Sequence, residues 1–148
     1  MVAPIFSNGG LRDKRGGWAA AVYPASMPPI IVIRIAIAAV WLYEGLWCKL
    51  LGRVPHQEAV VAAHPLFGPR SAGLVLKALG VVETVLAIWV LTGWAPWLAA
   101  LAQTTLLVGM NANGLLYARH IIPDPGGMVV KNFAFIVLMW VAADHAAR

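Results

Sequence analysis

Two carboxylates lie inside apolar stretches of this sequence, where a charge is unusual. Glu44 and Glu83 are flanked by aliphatic, aromatic and glycine residues, and Lys77 and Lys131 lie in similar surroundings. A charged group in hydrocarbon costs about 2.5 kcal/mol or more, so it is rarely idle. Carboxylates paired with lysines can stay ionised. Such a carboxylate could exchange a proton with a bound molecule while a lysine holds one of its oxygens.

Asparagines in the same kind of stretch add neutral hydrogen-bonding groups. They are typical of hydrogen bonds between helices, and Asn132 could also hold a ligand oxygen. The candidate polar cluster, structural or ligand-binding, is Glu44, Lys77, Glu83, Asn111, Asn113, Lys131 and Asn132. The chain carries no motif for a nucleophile or a nucleotide, and its four histidines lack metal-ligand spacing. We therefore predict no catalytic residue, no metal site and no intrinsic cofactor.

The composition indicates what must position these residues. Of the 148 residues, 61% are apolar and only 11% are charged, whereas soluble domains have about a quarter charged. A soluble fold of this size could not bury so much apolar surface, but a lipid bilayer would surround it. The net charge of +5 forms no long basic run, so nucleic acid is not expected as a partner.

Four apolar stretches predict an all-α fold, a four-helix transmembrane bundle. We expect the spans at about 29–51, 70–91, 96–117 and 127–143, with a long first loop at 52–69. Residues 1–28 are predicted to form an N-terminal interfacial or flexible arm, and residues 29–148 the membrane domain. A signal peptide is a poorer interpretation of the arm, because prolines and Arg34 break the apolar run.

Basic residues set the predicted orientation. Arg12, Lys14 and Arg15 precede the first span, which places both termini on the cytoplasmic side. The compartment that fits is a bacterial inner membrane, crossed several times. In this orientation all four helices place polar groups in the outer half of the bilayer.

Pairing within that half is the simplest prediction. Glu44 and Glu83 balance Lys77 and Lys131, although these lysines could instead extend their ammonium groups to the lipid headgroups. For the short carboxylates, an ion pair that locks helices together is favoured over a catalytic or transport role. Lys49 lies close to a membrane face and is expected to extend to the headgroups.

Three segments resemble the DoxX-like family of small four-helix membrane proteins. They are WLYEGLWCKLL at 41–51 with Arg34 before it, GVVET at 80–84, and PGGMVVKNFAFIVL at 125–138. The resemblance covers about residues 30–143 and implies that family's fold. The polar positions that it carries over are Arg34, Glu44, Lys49, Glu83, Lys131 and Asn132. The resemblance also implies a link to quinone chemistry or to assembly and trafficking, with which members of the family are associated.

Three functions fit these observations. The first is an accessory or structural subunit of a larger membrane complex, with redox or quinone chemistry, whose partners are the lipid bilayer, other membrane subunits or a second copy of the chain. The second is the binding of a quinone or a lipid-like small molecule, in concert with an oxidoreductase. The third is proton-coupled transport of a small molecule. The first is the leading hypothesis, and no intrinsic enzymatic activity is expected.

Overall fold

The described part of the chain is entirely helical. The computed structural model describes residues 29–147, and these contain no strand. Helix α1 spans Ile30–Leu42 and continues directly as a π-helical segment, Tyr43–Leu50. The other helices are α2 (His56–Ala62), α3 (Gly68–Thr92), α4 (Pro96–Tyr117) and α5 (Pro125–Ala147). The predicted all-α class is confirmed, and the predicted N-terminal arm lies outside the described residues.

Three helical segments are long and apolar enough to cross a membrane. They are Ile30–Leu50, Gly68–Thr92 and Pro125–Ala147. Helix α4 has 22 residues and contains one glutamine and two asparagines, and it is not among these three. Many large apolar side chains face outward, including Leu74, Leu116 and Val130, each about seven-tenths exposed. Such an exterior suits lipid and would aggregate in water.

The apolar core occupies one end of the molecule. Helix α1, the first half of α4, the last turns of α3 and the second half of α5 meet there, around Ile37, Trp41, Ala87 and Met139. Because successive long helices run in opposite directions, the other end is formed by the end of the π-helical segment, the starts of α3 and α5 and the end of α4.

Helix α2 covers that second end. The sequence predicted a long loop at 52–69, whereas seven of its residues form a helix. Val61 of α2 is buried against Ala72 and Leu76 of α3, which fixes the short helix to the rest of the molecule. A single helical turn or two is marginal in isolation, so this packing is what stabilises α2.

Two glycines let the π-helical segment lie directly against α3. A Cβ atom built on Gly45 would come within 2.7 Å of the carbonyl oxygen of Gly80, and one built on Gly80 within 2.8 Å of the carbonyl oxygen of Gly45. Small residues at such crossings allow backbones to approach closely. This close backbone contact brings together the side chains of the next helical turn, those of Lys49 and Glu83.

Candidate ligand-binding cavity

A cavity of about 730 Å³ lies between the helices at the end that α2 covers. Its walls are largely aliphatic and aromatic, contributed by all five helices. Its apolar lining includes Val40, Trp41, Val61, Leu76, Leu79, Leu106, Met110 and Phe135. Its polar lining includes Glu44, Lys49, His56, Gln57, His64, Glu83, Asn111, Asn113 and Asn132. A concave, mainly apolar space with a few convergent polar groups is typical of a small-molecule site.

A buried ion pair forms one wall of this cavity. The Nζ of Lys49 lies 2.8 Å from Oε2 of Glu83 and 3.4 Å from Oε2 of Glu44. Glu83 is completely buried and Lys49 is 7% exposed, whereas the side chain of Glu44 is 39% exposed. The Lys49 ammonium also lies 3.4 Å from the carbonyl oxygen of Glu44. All three of its N–H groups therefore have acceptors within the protein.

The π-helical geometry explains why Lys49 can reach both carboxylates. In an α-helix, residues five apart point about 140° away from each other. A π-helix forms its hydrogen bonds between residues five apart, so Glu44 and Lys49 return to nearly the same face. The close approach of Gly45 and Gly80 then brings that face over Glu83.

Two amide side chains extend the polar wall, and their orientations are fixed by their partners. Nε2 of Gln57 donates to Oε2 of Glu44 at 3.1 Å, and Nδ2 of Asn113 donates to the carbonyl oxygen of Val60 at 3.3 Å. Both partners can only accept, so the amide nitrogens must face them. The amide oxygens of Gln57 and Asn113 are thereby left buried without a hydrogen-bond partner.

Two further polar groups at the cavity have side-chain hydrogen-bond partners within the protein. Nδ2 of Asn132 donates to Oδ1 of Asn111 at 2.6 Å, which ties α5 to α4. Nε1 of Trp41 donates to Oε1 of Gln103 at 2.7 Å, in the apolar core below the cavity. The first bond joins consecutive helices and the second joins α1 to α4, as expected for amides between membrane helices.

The family model of the DoxX-like family matches residues 38–140, which is more than two thirds of the chain. The chain belongs to the DoxX-like family. The match runs from the middle of α1 into α5, so it includes the ion pair, α2 and the amide residues of the cavity. No curated protein and no solved structure matches the chain significantly. The family resemblance seen in the sequence is confirmed, and it identifies a membrane protein.

The ion pairing of this DoxX-like protein differs from the sequence prediction. Glu83 and Glu44 pair with Lys49, and not with Lys77 and Lys131, which are exposed. The expectation that Lys49 extends to the headgroups is wrong, because its ammonium is buried between two carboxylates. An α-helical projection misplaces Lys49, since it does not include the π-helical segment.

The other predicted polar residues fall into two groups. Asn111, Asn113 and Asn132 line the cavity together with Glu44 and Glu83. Arg34 lies at the opposite end of this DoxX-like protein, where its guanidinium contacts Gly93 at the end of α3.

Sequence reasoning missed Gln57, which lies on α2 and links that helix to Glu44. The available signal was Pro55 followed by a run of good helix formers, a pattern typical of a helix start. Among residues 29–147, no group of three His, Cys, Asp or Glu side chains is arranged to hold a metal ion.

Proposed function

We propose that this membrane protein binds a small amphiphilic molecule in the cavity between its helices. The observation that supports this most strongly is the cavity itself, which combines extended apolar walls with a buried ion pair at one side. Its volume of about 730 Å³ lies within the range of about 300–1,000 Å³ that is usual for ligand sites. An apolar body would lie along the aliphatic walls, and a polar head would face Glu83 and the amides.

The proposed biological setting is a multi-subunit membrane complex. A quinone or a lipid-like molecule fits the required shape, and an oxidoreductase partner would act on it while it is held here. In that case Glu44 or Glu83 would exchange a proton with the ligand, and Asn132 would contact its head. Co-purification of a partner from native membranes tests this setting, whereas a protein that runs only with copies of itself contradicts it.

The proposed topology is a four-helix transmembrane bundle with both termini in the cytoplasm of a bacterium. Helix α4 joins α3 and α5 through short connections, so it crosses with them, and its two asparagines line the cavity. In a Cys48→Ala background, Trp94→Cys and Arg53→Cys should react with an impermeant maleimide from opposite sides of the membrane. Reaction of both from the same side contradicts the topology.

Gly109 offers a direct test of ligand binding. It lies at an exposed edge of the cavity, and a Cβ built on it meets no atom within 4 Å, so a larger side chain begins in open space there. Gly109→Trp should abolish saturable binding of an amphiphilic probe such as hexylresorcinol to the protein in lipid nanodiscs, measured by calorimetry. Val108→Trp is the matched control, because Val108 is exposed and does not line the cavity.

Saturable binding by the wild type and by Val108→Trp, together with its loss in Gly109→Trp, supports the proposal. Binding that is equal in all three proteins would show that the probe only partitions into lipid, and would contradict it.

A further inference from the structure

The buried polar atoms without a partner all belong to residues that line one cavity. Among residues 29–147 these atoms are Oε1 of Gln57, both carboxylate oxygens of Glu83 and Oδ1 of Asn113. Oε2 of Glu83 makes no hydrogen bond of regular geometry, but it lies 2.8 Å from the Lys49 ammonium, so the ion pair satisfies it. Three oxygens, one from each residue, remain without any partner.

All three oxygens are hydrogen-bond acceptors, and none can become a donor by turning over. The amides of Gln57 and Asn113 already donate to oxygen atoms, so a flipped amide would place two oxygens against each other. Oε1 belongs to the completely buried Glu83 carboxylate, whose other oxygen lies 2.8 Å from the Lys49 ammonium. Leaving such atoms unpaired lowers stability, and more so for a charged group, so a partner is expected.

Two hydrogen-bond donors at the cavity, in contrast, already have partners within the protein. The Lys49 ammonium faces three protein oxygens, and the indole N–H of Trp41 donates to Gln103. A ligand whose head only accepts hydrogen bonds would therefore leave the three oxygens unpaired. These oxygens have almost no accessible surface, so a head that donates would satisfy them after small shifts of the side chains that line the cavity.

We infer that the cavity selects an amphiphile whose head group donates hydrogen bonds, namely one that carries hydroxyl groups. This inference rests on the proposed function, since it names the ligand class of the same cavity. For a molecule that exists as a dicarbonyl and as its dihydroxy form, the cavity selects the dihydroxy form. A carbonyl head would meet the Glu83, Gln57 and Asn113 oxygens as acceptor against acceptor.

A pair of probes separates this inference from the proposed function. Hexylresorcinol carries two hydroxyl groups, and its dimethyl ether has the same ring and tail but no donor. Both are titrated into the full-length protein in nanodiscs, and the Gly109→Trp protein supplies the background from partitioning into lipid. We expect the resorcinol to bind about tenfold more tightly or better, since hydrogen bonds to charged or buried acceptors are worth about one decade or more in affinity.

Variants identify the acceptors that cause the preference for hydroxyl groups. Asn113→Leu removes one acceptor and should reduce the ratio of the two affinities several-fold, mainly by weakening binding of the resorcinol. Thr104→Val is the matched control, because it removes a polar group from the same helix whose partner, Trp140, does not line the cavity. Where Asn113→Leu lowers the folded yield, Gln57→Leu removes an equivalent acceptor from the short helix α2.

Each outcome is decisive. If both probes bind equally at the Gly109-dependent site, water satisfies the three acceptors and the inference is overturned, while the proposed function stands. If the ether binds better, the inference is likewise wrong. If neither probe binds above the Gly109→Trp background, both proposals fail.

Discussion

At the scale of single residues, the unusual feature is one lysine held by two carboxylates away from water. A buried ion pair can be replaced by apolar residues of similar size at little cost, but removing one partner leaves an uncompensated charge. Glu83 has no exposure to solvent, whereas the side chain of Glu44 is 39% exposed. The burial of Glu83 therefore depends more strongly on its ion pair with Lys49. The three residues should therefore respond very differently to substitution.

Lys49→Met should lower the free energy of unfolding by about 3–5 kcal/mol, because the Glu83 carboxylate loses the one ammonium partner that it has among residues 29–147. Glu44→Gln should have a much smaller effect. The double variant Lys49→Met/Glu83→Leu should recover most of the loss, since no unpaired charge remains. Denaturant unfolding in mild detergent measures all of them. Equal effects of Lys49→Met and Glu44→Gln would show that the buried pair does not stabilise the fold.

The residue types of the cavity could be predicted from the sequence, but their partners could not. Glu44, Glu83 and the asparagines are recognisable because polar groups in apolar stretches are costly and therefore rarely accidental. The role of Lys49 depends on the π-helical segment, and Gln57 lies on α2, within the segment that the sequence predicted to be a loop. Both features result from tertiary packing, which no local pattern reports.

At the scale of elements, the crossing of the π-helical segment over α3 determines the geometry of the site. Gly45 and Gly80 meet backbone to backbone, and the ion pair lies one helical turn further along. Wider π-helical geometry is uncommon, and in other proteins it is often found at functional sites. Here it turns Lys49 inward and places it over Glu83.

Gly45→Ala should destabilise the protein by about 1–3 kcal/mol, as expected for overpacking a close contact. Its Cβ would lie 2.7 Å from the Gly80 carbonyl oxygen and 2.8 Å from Cβ of Glu83, and neither atom can move easily. Gly109→Ala is the control, because its Cβ meets nothing and alanine favours a helix by about 0.5–1 kcal/mol. Thermal unfolding of both variants in the same detergent compares them. A stabilised Gly45→Ala protein would contradict the close crossing.

At the scale of the whole molecule, the two ends differ in structure. One end is a close-packed apolar core around Trp41 and Met139, and the other holds the cavity and its cover, α2. Three of the predicted spans are confirmed as apolar helices of sufficient length, since hydropathy is read directly from residue types. The cover was not predicted, because α2 has only seven residues and is held by contacts with α3.

The most direct test of ligand binding is a map of where a bound molecule lies. A hexylresorcinol derivative with a photoreactive diazirine at the end of its tail would be activated on the protein in native-like lipid, and the labelled peptides identified by mass spectrometry. Labelling should fall on residues that line the cavity, such as Leu79, Met110 and Phe135, and excess unmodified hexylresorcinol should suppress it. Labelling confined to the outward-facing Leu74 and Val130, unaffected by competitor, would show that the molecule resides only in the surrounding lipid.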